Sequence, residues 1–214
     1  MEFIANVFQL ILVDRRQVVL SALSEHVVIS LIAIALISAA GIPLGILISR
    51  YRKYAQPVIY VTGALYTIPV LALFGLMIPI LGIGLRPTLF ALFIYGLLPL
   101  VRNTYVGITG VDAAIVEAAR GMGSTNRQLL FNVELPLALP VIVAGFRTIV
   151  VMTISVATIA SYIGAGGLGD LIFRGINTYF LELVVAGSIL VALLAIVADG
   201  CLGLLEKYLL KRVR

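Results

Sequence analysis

The sequence predicts an all-α membrane protein, and composition and patterning both support this fold class. Apolar residues make up 62% of the 214 residues and charged residues only 12%, and the mean hydropathy is +1.16. The apolar residues form continuous runs, which differ from the alternating pattern of a membrane barrel. Because backbone polar groups in lipid must pair within their own segment, we expect these runs to cross the membrane as helices.

Five runs are long enough to span a hydrocarbon core of about 30 Å, which takes about 20 helical residues. In chain order they are His26 to Ser49, Pro57 to Leu81, Thr88 to Ile108, Leu137 to Ala160 and Leu183 to Leu205. The expected transmembrane domain is therefore 26–205, followed by a basic tail at 206–214. Pro69, Pro79 and Pro99 fall inside the second and third runs, where each removes a helix hydrogen bond and predicts a kink.

The N-terminal segment, residues 1–25, is expected to lie at the membrane interface. Its apolar part, Met1 to Val13, is too short to span. The charges Asp14, Arg15 and Arg16 follow that part, whereas a signal peptide carries its basic residues before it. This order favours an interfacial amphipathic helix on the extracytoplasmic side.

The Lys and Arg residues predict the orientation of the chain in the cell membrane. With five spans, one face carries Arg50, Arg52, Lys53, Arg102, Arg120, Arg127, Lys207, Lys211, Arg212 and Arg214, and the other carries Arg15, Arg16, Arg86 and Arg174. The richer face is cytoplasmic by the positive-inside rule, which places the N-terminus outside and the C-terminus inside. The net charge of +5 then reflects topology, and no nucleic-acid partner is expected.

The chain is not expected to be an enzyme or to bind a metal or cofactor itself. It has one cysteine, Cys201, and one histidine, His26, which are far apart in the sequence. A metal site or a Cys/His nucleophile pair therefore lacks its residues, and no GxxxxGK[ST] phosphate loop occurs.

Residues 112–136, called here the coupling segment, are polar and lie between two membrane runs. Asp112 is a plausible N-cap for a helix from Ala113 to Arg120, and Gly121 and Gly123 are suited to end it. That helix carries the small residues Ala114, Ala118 and Ala119. Small side chains allow another protein to approach closely, so the segment is predicted to dock a partner.

A second helix is predicted after the glycines. Thr125 followed by Gln128 is typical of a capping box, and Pro136 is expected to end the helix. An ordinary cytoplasmic linker is the alternative interpretation. It would explain the glycines and the proline, but not the combination of small residues with Glu117 and Leu135-Pro136.

The spacing within the coupling segment resembles the EAA loop of ABC-importer permeases. The matching residues are Glu117, Ala118, Ala119, Gly123, Val133, Leu135 and Pro136. Val133 stands where the usual pattern has Ile. The resemblance extends over about 30–204 and is to the methionine-permease-like transmembrane domain. Within it, 67–84, 98–108 and 161–176 are most similar to permeases of osmoprotectant uptake systems for glycine betaine, carnitine and choline.

This resemblance implies an ATP-driven importer that works by alternating access. Its expected partners are two cytoplasmic ATPase subunits, which bind ATP and Mg, a second identical or paralogous permease, and an extracytoplasmic substrate-binding protein. The EAA loop would sit in a groove on the ATPase. An import permease for another solute, such as an amino acid, remains an alternative, and so does an ion-coupled carrier. The carrier predicts inverted repeats and midplane ion ligands, which the sequence does not show.

Charged residues inside the spans are candidates for a translocation path. A charge at mid-bilayer costs about 3 kcal/mol unless it faces a cavity or a partner. Arg147 and Asp199 therefore either pair with each other or line the path. Arg102 either snorkels to the interface or lines an inner vestibule.

Aromatic residues and glycines complete the candidate path. Tyr66, Tyr95 and Tyr105 lie within or near spans, and Pro69, inside the second run, is a further candidate. Gly166 and Gly167 belong to the glycine-rich stretch 164–169, which is expected outside the cell. That stretch predicts either a re-entrant gate loop or a plain turn.

Overall fold

The computed structural model describes residues 2–213, which fold into helices and short turns without a β-strand. The helices are α1 Glu2–Gln9, α2 Arg16–Arg50, α3 Ala55–Tyr66, α4 Val70–Leu81, α5 Leu85–Thr109, α6 Ala113–Gly121, α7 Asn126–Gln128, α8 Leu135–Ala160, α9 Gly169–Asn177 and α10 Leu181–Val213. Short 3-10 turns cover Arg52–Tyr54 and Ser161–Ile163, and wider π turns cover Leu10–Asp14 and Leu129–Glu134. The all-α prediction is confirmed. Met1 and Arg214, assigned above to the N-terminal segment and the basic tail, lie outside the described residues.

Four helices in the described part of the chain are long and apolar enough to cross a membrane, and the number is five if a bent pair of helices is counted as one span. The four are α2, α5, the continuous helix Asn126–Ile163 that contains α8, and α10. The bent pair is α3 and α4, whose axes differ by 91°. The prediction of about five spans is confirmed, but the second span is not one continuous helix.

The break in the second span lies at Pro69. This residue has φ −57° and ψ 136° and precedes the first turn of α4, so it is not inside a helix as predicted. A proline disfavours the helical conformation of the residue before it, here Ile68, so α3 does not continue into α4. Pro79 and Pro99 do lie inside α4 and α5.

The first long helix begins at Arg16, ten residues before the predicted start at His26. Residues 16–25 are polar on one side only, because Gln17, Ser21 and Glu25 recur every fourth residue and line one cavity. Val19 is buried on the other side, in a cluster with residues of α9 and α10. The helix therefore runs without a break through residue 25, because an amphipathic stretch extends it beyond its apolar part.

The core forms where α2, α5 and α8 pack together. Ile37, Leu92, Leu100 and Ile149 are fully or almost fully buried there. Glycines bring the helices close, as at Gly45, where an added Cβ would lie 2.5 Å from the Thr104 side chain. Small residues of this kind let membrane helices associate by close packing, since lipid supplies no hydrophobic drive between them. α10 then packs against α8 and α9 on the outside of this core.

The helix that follows Thr125 does not end at Pro136, and this prediction was wrong. The π turn Leu129–Glu134 leads directly into α8, in which Pro136 occupies the first turn. A proline is tolerated there, because N–H groups in the first turn lack partners within the α-helix. The coupling segment is thus continuous with a helix of 38 residues that enters the membrane.

Candidate coupling segment and membrane cavities

The first half of the coupling segment has the predicted caps. The Asp112 carboxylate accepts a hydrogen bond of 2.9 Å from the backbone N–H of Ala114. α6 ends at Gly121, and Gly123 has φ +85°, a conformation that glycine adopts without steric cost. The N–H of Gly123 donates to the carbonyl of Arg120 at 2.9 Å. These bonds fix a tight turn between α6 and α7.

The second half begins with the predicted capping box. The Gln128 N–H donates to the Thr125 hydroxyl at 3.3 Å, and the Thr125 N–H donates to the Gln128 side-chain oxygen at 2.9 Å. Both donors at this helix start are therefore satisfied without any partner protein. The backbone at this turn is therefore held by hydrogen bonds within the coupling segment itself.

The coupling segment has a polar sequence, yet two of its large apolar side chains are exposed. Glu117, Ala118, Gly123 and Pro136 are exposed, Val133 and Leu135 are half-buried, and Ala119 faces the interior. Between them, Met122 is 82% exposed and Phe131 is 61% exposed. Neither side chain was predicted from the sequence to lie at the surface. Large exposed apolar groups on a capped turn are typical of a protein contact.

An ion pair joins the coupling segment to α2. The Arg50 guanidinium donates two hydrogen bonds to the Glu134 carboxylate, one of 3.2 Å from Nη1 to Oε1 and a shorter one from Nη2 to Oε2. The Glu134 side chain is only 8% exposed. The pair lies where α2 ends and α8 begins, so it links two core helices at the end that carries the coupling segment.

Arg147 and Asp199 are brought together by α8 and α10. The Arg147 Nε and Nη2 atoms both donate to the Asp199 carboxylate, with 2.6 Å between Nη2 and Oδ2. Nη1 also donates to Glu206 at 3.2 Å. Gly203 makes room for this contact, since a Cβ there would lie 3.2 Å from Arg147 Nη1.

The same three charged residues line a cavity of about 560 Å³, called here the carboxylate cavity, together with Tyr66. The side chains of Arg147 and Asp199 are 36% and 39% exposed. Arg147 and Asp199 therefore do both: they pair with each other across two helices, and they line a cavity.

Arg102 lies on a second cavity, of about 630 Å³, called here the arginine cavity. Tyr60 and Tyr66 also line it. Arg102 is exposed, and it makes no ion pair or hydrogen bond with another residue of 2–213. Tyr66 thus contributes to both cavities.

The other predicted path tyrosines have structural contacts. The Tyr95 hydroxyl donates to the Ile68 carbonyl, which lies in the helix break before Pro69. The centroids of the Tyr95 and Tyr66 rings lie 5.5 Å apart, so this ring contact also stabilises the break. Tyr105 packs against the buried cluster of Ile48, Ala55 and Val101.

The glycine-rich stretch forms a compact loop against α2. Gly164, Gly166 and Gly167 all have φ between +81° and +88°. The Gly167 N–H donates to the Glu25 carboxylate at 3.1 Å, and an added Cβ on Gly167 would lie 3.0 Å from His26 Nδ1. His26 is itself buried and donates from Nε2 to the Ile154 carbonyl at 3.0 Å.

A polar cavity of about 370 Å³ lies beside this loop. Glu25, Asp170 and Arg174 line it. Burial raises the pKa of the Asp170 carboxyl, and the nearby Glu25 carboxylate acts in the same direction, while Arg174 opposes both. Neither this cluster nor any other within residues 2–213 brings three potential metal ligands together.

Residues 41–211 match the family described as the binding-protein-dependent transport system inner membrane component. The chain belongs to this family. The match includes the coupling segment and both large cavities. The protein is therefore a multi-pass membrane component of a binding-protein-dependent transport system, and we refer to it as the permease.

Curated relatives of the permease cover most of both chains. It is 50% identical to the carnitine transport permease protein OpuCB of Listeria monocytogenes, over 85% of this chain and 84% of the relative. It is 45% identical to the choline transport system permease protein OpuBB of Bacillus subtilis, over 86% and 85%. It is 46% identical to the osmoprotectant import permease protein OsmW of Salmonella typhimurium, over 85% and 87%.

Solved structures share the fold of the permease. An inward-facing form of the MetNI methionine ABC transporter superposes with a TM-score of 0.80 at 20% identity, over 91% of this chain and 97% of that chain. An amino acid ABC transporter crystallised with histidines gives a TM-score of 0.73 at 21% identity, over 97% and 99%. At such identities the likeness establishes the methionine-permease-like fold and does not extend to the solute.

Proposed function

We propose that the permease forms the membrane path of an ATP-driven importer for quaternary ammonium osmoprotectants such as glycine betaine, carnitine and choline. The observation that carries this proposal is the identity of 40–50% to relatives whose names give carnitine, choline and glycine betaine as cargo. An amino acid is the weaker candidate, because the relatives named for methionine and histidine are only 20–21% identical.

In this proposal the ATPase activity belongs to separate subunits. Two cytoplasmic ATPases bind ATP and Mg, a second permease completes the path, and an extracytoplasmic binding protein delivers the solute. The coupling segment docks the ATPase, with Glu117, Ala118 and Gly123 exposed at the contact and Ala119 buried beneath them. Its capped turn and exposed apolar side chains support this role, because the caps leave the turn's helix starts satisfied and the apolar side chains are available for a protein contact.

The connections of the coupling segment support alternating access. α6 and α7 lead through the π turn into α8, and the Arg50–Glu134 pair joins that turn to α2. A movement of the ATPase would therefore reach two of the three core helices at once. The ATP-bound ATPase would favour one permease conformation over the other, which is the differential binding that a two-state switch requires.

Reconstitution tests the proposed function. We expect proteoliposomes that contain the permease, its ATPase and its binding protein to accumulate radiolabelled glycine betaine, carnitine or choline only when Mg-ATP is present on the ATPase side. Excess unlabelled methionine should leave this uptake unchanged. Uptake of methionine or histidine, with none of the three quaternary ammonium solutes, would contradict the proposal.

The orientation proposed for the permease places the coupling segment in the cytoplasm. Single cysteines at Ser21, Lys53, Asn126 and Tyr179, in a Cys201→Ala background, test it at four exposed positions. We expect a membrane-impermeant maleimide to label intact cells only at Ser21 and Tyr179. Permeabilised cells provide the control, since all four positions should then react. Labelling at Asn126 in intact cells would show that the proposed topology is wrong.

A further inference from the structure

The two membrane cavities share Tyr66 and differ in charge. Tyr66 is 39% exposed and lines both. Their volumes of about 560 and 630 Å³ fall within the usual range of small-molecule sites, about 300–1,000 Å³. A solute bound against Tyr66 would therefore lie between two different electrostatic environments.

The carboxylate cavity has a net negative charge. Arg147 contributes one positive charge, and Asp199 and Glu206 contribute two negative charges, which leaves −1 when all three are ionised. The guanidinium is already held by both carboxylates, at 2.6 Å from Asp199 and 3.2 Å from Glu206. Arg147 is consequently not available to bind an anion without breaking this network, and the cavity favours a cation.

The arginine cavity has the opposite character. Arg102 is the charged residue that lines it, with no carboxylate beside it. Within residues 2–213, Arg102 also has no ion-pair partner elsewhere. A guanidinium inside an apolar span needs water or an anion. Arg102 is therefore suited to a solute carboxylate, which a guanidinium binds with two parallel hydrogen bonds.

We propose that Tyr66 and Arg102 form a transit site for zwitterionic quaternary ammonium solutes. The ammonium group contacts the Tyr66 ring on the side of Asp199 and Glu206, and the carboxylate contacts Arg102. Contact between a cation and an aromatic ring is attractive without a hydrogen bond, which a trimethylammonium group cannot donate. We expect the site to bind its solute weakly, because it is open and offers only one guanidinium. This inference rests on the proposed function and adds a preference for solutes with a carboxylate, such as betaine and carnitine, over choline.

The test is the ratio of glycine betaine uptake to choline uptake in proteoliposomes that contain the complete importer. We expect Arg102→Gln to lower this ratio about tenfold, the effect of losing one charge-assisted hydrogen bond. Tyr66→Leu should lower uptake of both solutes, by about threefold or more, while Tyr66→Phe retains it. Arg86→Gln is the matched control, because it is the same substitution at the outer end of α5, at an exposed position.

A second measurement restores or reverses the charge at position 102 by chemical labelling. Both labelled forms derive from the same folded variant, so differences in folding between variants do not affect the comparison. In a Cys201→Ala background, Arg102→Cys is labelled with a cationic aminoethyl or an anionic sulfonatoethyl thiosulfonate. The cationic label should raise the betaine-to-choline ratio, and the anionic label should not.

The outcomes separate the two proposals. Wild-type importer that takes up neither solute would overturn the proposed function, and the transit site with it. Wild-type uptake of both solutes with an unchanged ratio in Arg102→Gln, and no difference between the two labels, would overturn the transit site alone. Arg102 would then be a residue that only extends towards the membrane interface.

Discussion

Replacing Gly123 by glutamate should abolish uptake while the permease still inserts into the membrane. Gly123 has φ +85°, is exposed, and has no atom near the position of its missing Cβ. An added side chain therefore projects away from the permease, into the space that the proposal assigns to the ATPase. A glutamate there places bulk and negative charge in that contact, so ATPase co-purification should fall together with uptake.

The effect must be separated from backbone strain, since any side chain at this φ costs about 1–2 kcal/mol. Gly164→Glu is the matched control, because Gly164 is exposed, has a left-handed conformation with φ +81° and ψ 25°, and also has open space at its Cβ position. It follows the C-terminal end of α8, whereas the coupling segment precedes the N-terminal end of that helix, so the Gly164 variant should retain ATPase co-purification. Normal uptake and normal co-purification in Gly123→Glu would show that the coupling segment does not contact the ATPase.

Local signals in the sequence predicted the coupling segment well. The Asp112 cap and the Thr125–Gln128 capping box depend on residues three or fewer positions apart, and both form as predicted. Long apolar runs likewise predicted the spans. These features have short-range physical causes, namely unpaired N–H groups at helix starts and the thickness of the bilayer.

The two proline predictions failed for a common reason. Pro69 was expected within a span and instead marks a 91° break, whereas Pro136 was expected to end a helix and lies in the first turn of α8. The cost of a proline depends on which carbonyls lose their partner and on what replaces it. At the break, the hydroxyl of Tyr95 donates to the Ile68 carbonyl, and that contact between distant residues could not be read from the local sequence.

The candidate cavities could be predicted only in part. Sequence reasoning identified Arg147 and Asp199 as a pair or a path, and the structure adds Glu206 as a third member. It did not identify Tyr66 as the residue shared by two cavities of opposite charge. Such an arrangement depends on how α3, α5, α8 and α10 are placed, which a single sequence without repeats or local motifs does not determine.

Breaking the Arg50–Glu134 pair should have the second large effect. In Arg50→Met, the Glu134 carboxylate remains in a site where its side chain is only 8% exposed and loses both guanidinium hydrogen bonds. Removing one partner of a fully buried ion pair costs about 3–5 kcal/mol, because the remaining charge is left uncompensated. The Arg50 side chain is 29% exposed, so we expect the cost here to lie at the lower end of that range, about 3 kcal/mol or less. We expect a lower melting temperature of the detergent-purified importer and a loss of uptake of more than about tenfold.

A double variant distinguishes a lost link from an unpaired charge. Arg50→Met with Glu134→Leu replaces the pair with an apolar contact between α2 and the π turn, and such replacements of buried pairs are often neutral or stabilising. The double variant should therefore regain both the melting temperature and most of the uptake. Arg52→Met is the control, since Arg52 is an exposed neighbour without an ion pair within residues 2–213. If Arg50→Met kept wild-type stability and uptake, the pair would not be the link that carries ATPase movement to α2.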